Sequence, residues 1–406
     1  VRAPLHRTVR SLGLVSLLTD ASSEMIYPLL PAFLTDTLRA GPAFLGVVEG
    51  LAETVAAVLK IVSGRVSDRL ARRKPLVVAG YALSSLVRPM VALATRPGHV
   101  LAVRLFDRMG KGVRSAPRDA LVAGVVAHGD RGRAFGFQRA MDHAGAMVGP
   151  LLGSAALVLT HDLRIVFGLA AIPAVLAVAT LVLGVREERP ATVPAPAVAV
   201  VPVEAPEARG ASLEPALLRY LGVLALFTLG NSSDAFLLLR AQETGVTLAA
   251  VPAVWALHNL VKAGASTWGG ALSDRVGRRF VILIGWGVYA LAYAGFAATS
   301  SPIAIVGLFA FYGLFHAFTE GAERALVADL AGETARGRAF GLFHAVTGAA
   351  LLPASLATGF LWQQFGAPVA LGTGAALASL AALGLLAFVR EPGLPASEGE
   401  PPRRRS

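Results

Sequence analysis

Gly64-Arg65-Val66-Ser67-Asp68-Arg69 recurs 206 residues later as Gly270-Ala271-Leu272-Ser273-Asp274-Arg275. Arg131-Gly132-Arg133-Ala134-Phe135-Gly136 recurs 205 residues later as Arg336-Gly337-Arg338-Ala339-Phe340-Gly341. Ser22-Ser23-Glu24 has a counterpart in Ser232-Ser233-Asp234. Three matches in one order at nearly one offset mark an internal duplication. Each copy takes about half of the 406 residues.

The sequence around these repeats is too apolar for water. Hydrophobic residues make up 55% and charged ones 16%, whereas a soluble domain carries about 25% charged residues. Mean hydropathy is +0.62. Such a chain cannot cover itself with a polar surface, which excludes a soluble globular domain, and disorder outside one short segment. The absence of cysteine excludes disulfides, thiolate metal sites and cysteine nucleophiles.

A helix that crosses a bilayer needs about 20 mostly apolar residues. Twelve candidate spans follow, at residues 9–34, 43–62, 75–94, 99–121, 133–158, 163–184, 216–239, 248–270, 280–299, 302–324, 336–361 and 367–389. Long continuous apolar runs without two-residue alternation favour helices over a β-barrel. The first stretch is too long for a cleavable signal and contains Asp20 and Glu24, so it reads as a retained span. Lys and Arg divide 22 to one set of connecting segments and 4 to the other, which places both termini in the cytoplasm. The net charge of +11 therefore marks one membrane face, with no groove for nucleic acid.

Residues 186–215 are rich in Pro and Ala and read as a cytoplasmic linker. The expected organisation is a six-helix bundle at 1–185, that linker, a second six-helix bundle at 216–390, and a cytoplasmic tail at 391–406. Two parallel halves of six spans around a central site form a known secondary-transporter plan.

On these motifs the chain resembles the major facilitator superfamily along its whole length. Gly64-x-x-Ser67-Asp68-Arg69-x-x-x-Arg73-Lys74 is similar to the superfamily's loop signature between spans two and three, with a sister copy from Gly270 to Arg279. Arg108-x-x-Lys111-Gly112 resembles the span-four signature, with Lys111 where a Gln is more common. Gly136, Gly145, Gly149, Pro150 and Gly153 resemble the span-five motif of proton-coupled exporters. Asp20 through Tyr27-Pro28-Leu29-Leu30-Pro31 resembles the first span of twelve-span drug:proton antiporters. The resemblance implies an all-α membrane protein of two pseudo-symmetric six-helix bundles. It implies a multi-pass protein of the cytoplasmic membrane, acting as a monomer on a small molecule and protons.

The loop signature supplies a gating candidate in Gly64, Asp68, Arg69, Gly270, Asp274 and Arg275. Gly64 would allow a tight helix exit, and Asp68 would sit near a helix N-terminus such as that of span eleven. The competing reading is a solvated loop that merely carries positive charge.

Ionisable residues at mid-membrane cost roughly 2.5–3.5 kcal/mol each on insertion scales, so they should face a cavity or a partner. At 100° per residue, Arg104, Asp107, Arg108, Lys111, Arg114 and Arg118 of span four share one face, within an arc of about 120°. Glu49, Glu53 and Lys60 share a stripe of span two. Asp20, Glu24, Glu49, Glu53, Asp107 and Asp142 are candidates for carrying protons. Tyr27, Arg104, Arg108, Lys111, Arg139, His143, His258, Asn259, His316 and Glu320 are candidates for lining the cavity. Arg88, followed by Pro89, reads either as functional or as a cap on an acid of a neighbouring span. Arg114 and Arg118 read as residues snorkelling to the membrane edge. The histidines are isolated, and no metal or cofactor is implied.

No HExxH, GxSxG elbow or dinucleotide fingerprint occurs, so an enzyme is not expected. The leading expectation is a proton-coupled exporter working by alternating access. The alternative is a proton-linked uptake symporter, in which the basic stripe of span four binds a polar or anionic substrate. A third reading is a non-transporting receptor or lipid-handling protein, which the intact signatures in both halves argue against.

Overall fold

The computed structural model describes residues 5–69, 72–126, 131–185 and 214–389. Among them every regular element is helical. In chain order these are α1 (Arg7–Ile26), α2 (Pro42–Arg69), α3 (Lys74–Val87), α4 (Pro97–Gly124), α5 (Arg131–Thr160), α6 (Leu163–Leu169) and α7 (Ala171–Gly184). There follow α8 (Pro215–Gly230), α9 (Ala235–Glu243), α10 (Val251–Val276), α11 (Arg278–Ala298), α12 (Pro302–Phe365) and α13 (Ala367–Phe388). The predicted linker, apart from Glu214 and Pro215, and the predicted tail lie outside the described residues.

Eight helical segments are long and apolar enough to cross a membrane, matching predicted spans three, five, six, seven and nine to twelve. α1, α2, α4 and α10 have 20, 28, 28 and 26 residues, or about 30–42 Å at 1.5 Å per residue. They have the length of a span but too many polar groups: Asp20 and Glu24, Glu49 and Glu53, the row from Arg104 to Arg118, and His258, Asn259 and Lys262. The four helices that fail on apolarity carry many of the charged groups that meet inside the bundle.

Five spans depart from continuous, separate helices. Pro28 and Pro31 each lack a backbone donor, and the helix after α1 passes through a 3-10 turn, Tyr27–Leu29, and a π turn, Phe33–Thr37. Predicted span six is divided between α6 and α7 at Ala170. Predicted span seven is broken between α8 and α9, where Ser233 and Asp234 turn their side chains to the backbone and to partners instead of continuing the helix. The carbonyl of Gly230, freed by that break, accepts from Tyr289 Oη at 2.8 Å. Irregular backbone at membrane depth survives only where such partners exist. Predicted spans ten and eleven lie in one helical run, α12, because the stretch joining them has no proline. The run nevertheless reverses. Trp362 near its end bonds Glu243 at 3.0 Å, while Pro302 at its start lies against Gly245. Two antiparallel spans therefore fit within it.

Packing follows the duplication. In the first half α1 lies on α5 and α7, α2 on α4, and α3 on α4 and α7. In the second half α8 lies on α12 and α13, α10 on α12, and α11 on α12 and α13. The halves meet along α2 with α12 and along α5 with α10. At one end the first seam is closed by glycines. A Cβ on Gly359 would stand 2.7 Å from the Pro42 carbonyl, and one on Gly50 2.9 Å from Leu352. The Ala43 amide donates to Gln363 Oε1 at 3.3 Å there, and Ser154 Oγ reaches the Ala249 carbonyl from α5. Toward the other end the seams part. A cavity of about 430 Å³ opens between α2, α4 and α12, and one of about 460 Å³ between α5 and α10.

The glycine seam gives a first test. Gly46→Leu places its side chain against the Ser355 backbone and should prop the closed end open. A single cysteine introduced at Ala43 in this cysteine-free chain should then react with a water-soluble maleimide several-fold faster than in the Gly46 background.

Candidate functional site

The polar centre of the molecule is a chain of ion pairs across α2, α3 and α4. Arg88 donates to Asp107 Oδ1 from Nη2 at 2.8 Å and from Nε at 3.2 Å, and its Nη1 donates to the Thr19 carbonyl at 3.0 Å. Arg104 donates to Glu49 Oε1 at 2.6 and 3.1 Å, and its Nη1 stands 4.0 Å from Asp107 Oδ2. Glu49 and Asp107 are 1% and 3% exposed. Two cations and two anions thus neutralise one another out of water, and removing one member would leave a buried charge alone. Small residues make the approach possible: Gly80 and Gly110 face each other where α3 meets α4, and Ser84 Oγ donates to the Asp107 carbonyl at 2.9 Å. Arg88 stands where Pro89 tightens α3 into 3-10 geometry.

The two halves exchange hydrogen bonds at this depth. Ser233 Oγ in the α8–α9 break donates to Glu49 Oε2 at 3.2 Å, and Tyr27 Oη lies 3.4 Å from the same hydroxyl. Trp255 Nε1 of α10 donates to Glu24 Oε2 at 2.7 Å, with its ring 5.6 Å from that of Tyr27. In the second half Tyr312 Oη donates to Asp234 at 2.7 Å. His258 is buried, stacked 4.8 Å from Trp255 and 5.1 Å from Tyr312, with Nδ1 3.1 Å from the Phe309 carbonyl. Asn259 donates to the Trp255 carbonyl at 3.0 Å. His258 is a packing group rather than cavity lining, whereas Asn259 borders the α5–α10 cavity.

Nearer the open end the pairs are partly exposed. Arg108 pairs with Glu53 at 3.0 Å, so Asp107 and Arg108, adjacent in sequence, serve different partners. Lys262 pairs with Glu320 at 2.7 Å, with His316 at 3.7 Å from the same oxygen. Arg139 stands 3.9 Å from Asp142, and Arg139 and His143 line the α5–α10 cavity with Gly136. Arg114 is buried, donating to Ser84 Oγ at 2.6 Å and lying 4.5 Å over the Tyr81 ring. That replaces the expectation that Arg114 snorkels. Two charged groups stand apart. Among the described residues neither the Asp20 carboxylate nor the Lys111 ammonium makes a hydrogen bond or ion pair.

Gly145, Gly149 and Gly153 put the backbone of α5 against α1. A Cβ on Gly145 would stand 2.9 Å from Asp20 Cβ, and one on Gly149 2.9 Å from Glu24 Cβ. This seam lies within the first half and holds the helix that carries the two acids. Pro150 is buried within unbroken α5, while a Cβ on Gly136 would meet nothing. Gly64 and Gly270 are not helix exits. α2 runs on to Arg69 and α10 to Val276, where Gly277 at φ 98° ends it. The Asp68 and Arg69 side chains lie outside the described residues. Asp274 pairs with Arg278, which also reaches Asp329 of α12 at 3.5 Å, and Arg275 is exposed.

The structure adds Ser233, Asp234, Trp255 and Lys262 to the predicted set. The repeat could have found Asp234, since it equates that residue with Glu24. Nothing local in the sequence marks Trp255 as the partner of Glu24, 231 residues away.

Helix bundles built on one repeated plan, meeting around buried ion pairs and parted at one end, define a multi-pass membrane transporter. Residues 12–257 and 220–406 match the family model of the Major Facilitator Superfamily, and the chain belongs to that family. It is 36% identical over 367 residues to an uncharacterized MFS-type transporter of Methanocaldococcus jannaschii, covering 88% of this chain and 89% of that one. It is 32% identical over 168 residues to the multidrug resistance protein MdtH of Cronobacter sakazakii, covering 40% and 41%. A crystal structure of the nucleoside transporter NupG shares the fold, with a TM-score of 0.78 at 14% identity over 94% of this chain and all of that one. The protein is a transporter of small molecules and not an enzyme.

The ion-pair chain predicts a stability effect. Arg104→Ala leaves Glu49 buried without its cation and should destabilise the protein by about 3–5 kcal/mol, read as a lowered thermal midpoint in detergent. Replacing both partners, as Arg104→Met with Glu49→Leu, should recover a large part of that loss.

Proposed function

We propose that the protein is a proton-coupled secondary transporter that carries its small molecule by alternating access, with Asp20 taking up and releasing the proton. The observation that carries this reading is the unpartnered carboxyl of Asp20. Glu49 and Asp107 are held in two-point bonds by buried arginines, so protonating either would break the centre of the bundle. Asp20 can change charge without that cost. Glu24, one turn along α1, reports across the halves through Trp255. Lys111 and Arg114 of α4, Asp142 of α5 and Glu24 lie within electrostatic range of Asp20.

With both termini in the cytoplasm, as the Lys and Arg distribution supports, the open end faces the cytoplasm. The bundles at 1–185 and 216–390 would rock about the α2–α12 and α5–α10 seams, joined by the linker at 186–215. The protein would act as a monomer in the cytoplasmic membrane, and gating at Gly64–Arg69 and Gly270–Arg275 would favour one end. Likeness to MdtH and the span-five glycines support export. Uptake together with protons is the second reading, favoured by one observation: Lys111, a mid-span cation with no acid of its own, is suited to an anionic cargo.

Flux of a substrate found by screening, in proteoliposomes under imposed pH gradients of both signs, tests the reading. Asp20→Asn should abolish gradient-driven accumulation, at least tenfold below wild type, while substrate exchange without a gradient persists. Full accumulation in that variant removes Asp20 from the coupling. Accumulation driven only by an acid-outside gradient, with none into acid-inside vesicles, selects uptake over export.

A further inference from the structure

We infer that the cavity between α2, α4 and α12 is the cargo site and that it takes a small organic dianion. The inference rests on the transporter reading and names the chemistry of its cargo. Lys111, Lys60 and His344 line this cavity of about 430 Å³ with Ser115, Thr347 and Gly112. Its one carboxylate, Glu53, is already neutralised by Arg108 at 3.0 Å. Among the described residues neither lysine has an ion-pair partner. Elsewhere in the bundle Arg88, Arg104, Arg108 and Lys262 are each matched by an acid. A lysine at mid-span is expensive and marks a substrate path when protein groups do not satisfy it.

The volume sits at the small end of the range for small-molecule sites, about 300–1,000 Å³. Two ammonium groups suit a compact cargo with two acidic groups, while the Ser115 and Thr347 hydroxyls already donate to the Lys111 and Phe343 carbonyls at 2.6 and 2.9 Å. Ala56, Ala57, Ile61 and Leu351 supply the apolar wall for its carbon skeleton. The walls come from both halves, α2 and α4 on one side and α12 on the other, so a bound anion bridges the two parts that must move. Gly348 contacts Ala57 where the cavity ends toward the closed seam.

The position next to Asp20 sets the coupling sign. The charged groups around Lys111 are Arg108, Arg114, Glu53 and Asp20, those around Asp20 are Asp142, Lys111, Glu24 and Arg114, and His344 lines the same cavity. An anion on Lys111 repels an ionised Asp20, and a proton on Asp20 removes that repulsion. Cargo and proton then bind together, which favours the second of the two readings above, uptake together with protons.

Binding to the full chain in detergent, followed by tryptophan fluorescence and thermal stabilisation, tests the inference without a known substrate. The probes are succinate, ethanedisulfonate, glucose and tetraphenylphosphonium. The two dianions should bind saturably, and glucose and the cation should not. Lys111→Gln and Lys60→Gln should each weaken the dianions about tenfold, while Lys111→Arg stays within about threefold of wild type. Ethanedisulfonate does not titrate, so its tighter binding on acidification, lost in Asp20→Asn, would report the link to the proton. Binding that depends on Lys111 but not on pH supports the site and overturns Asp20 as the coupling group. Preferential binding of tetraphenylphosphonium, or dianion affinity unchanged in both lysine variants, overturns the inference. If Lys111→Gln does not fold, the ranking of probes on wild type and the Lys60→Gln variant decide it.

Discussion

A charge at the centre of a bilayer must be matched, and the rest of this structure is arranged around the chain Arg88–Asp107–Arg104–Glu49 that meets that requirement. Its members come from α2, α3 and α4, so satisfying them fixes the mutual rotation of three helices at once. The short contacts at 2.6 and 2.8 Å leave little freedom. Arg88 also ties the Thr19 carbonyl of α1 to the group. Apolar packing alone would not do this, since lipid tails solvate leucine as well as another leucine does, and helix association in a membrane relies on close packing and polar bonds. Buried ion pairs are a weak source of stability and a good source of geometry. Here the geometry they define is the wall of a cavity.

Close backbone approach is the second constraint, and it divides between two tasks. Gly145 and Gly149 bring α5 against α1 within the first half, which sets where Asp20 and Glu24 stand. Gly46, Gly50 and Gly359 bring α2 against α12 between the halves. The first seam lies within one half. The second joins the halves, and at that end, among the described residues, it is made of van der Waals contact and one hydrogen bond from the Ala43 amide, with no ion pair.

Much of this architecture was legible in the sequence. The repeat from Gly64 to Arg69 and from Gly270 to Arg275 gave the duplicated plan, and the helix pairings in the two halves follow it. The shared helix face of Arg104, Asp107, Arg108 and Lys111 was visible from spacing alone. What spacing does not contain is the partner. Asp107 and Arg108 are adjacent in the chain, yet one turns to Arg88 and the other to Glu53. Only the packing of α3 and α2 on either side of α4 decides that. The break at residues 231–234 was hidden for a different reason: Asn231, Ser232, Ser233 and Asp234 are all polar, but the leucine-rich flanks keep the span as a whole apolar. The helical continuity of α12 was hidden because charge in a sequence reads as a loop, whereas Ala, Leu, Glu and Arg are good helix formers.

The division between matched and unmatched charge gives the structure its functional direction. A matched pair in low dielectric resists both protonation and ligand exchange, because either event leaves its partner exposed to an apolar medium. Glu49 and Asp107, candidates for proton transfer on sequence grounds, are each held by two bonds from an arginine. Asp20 and Lys111 lack such bonds among the described residues, and Lys111 lines the cavity between α2, α4 and α12. Lys111 departs from the superfamily signature by placing a cation where a neutral amide is more common. That single replacement places beside the ion pairs an exposed cation that has no ion-pair partner among the described residues.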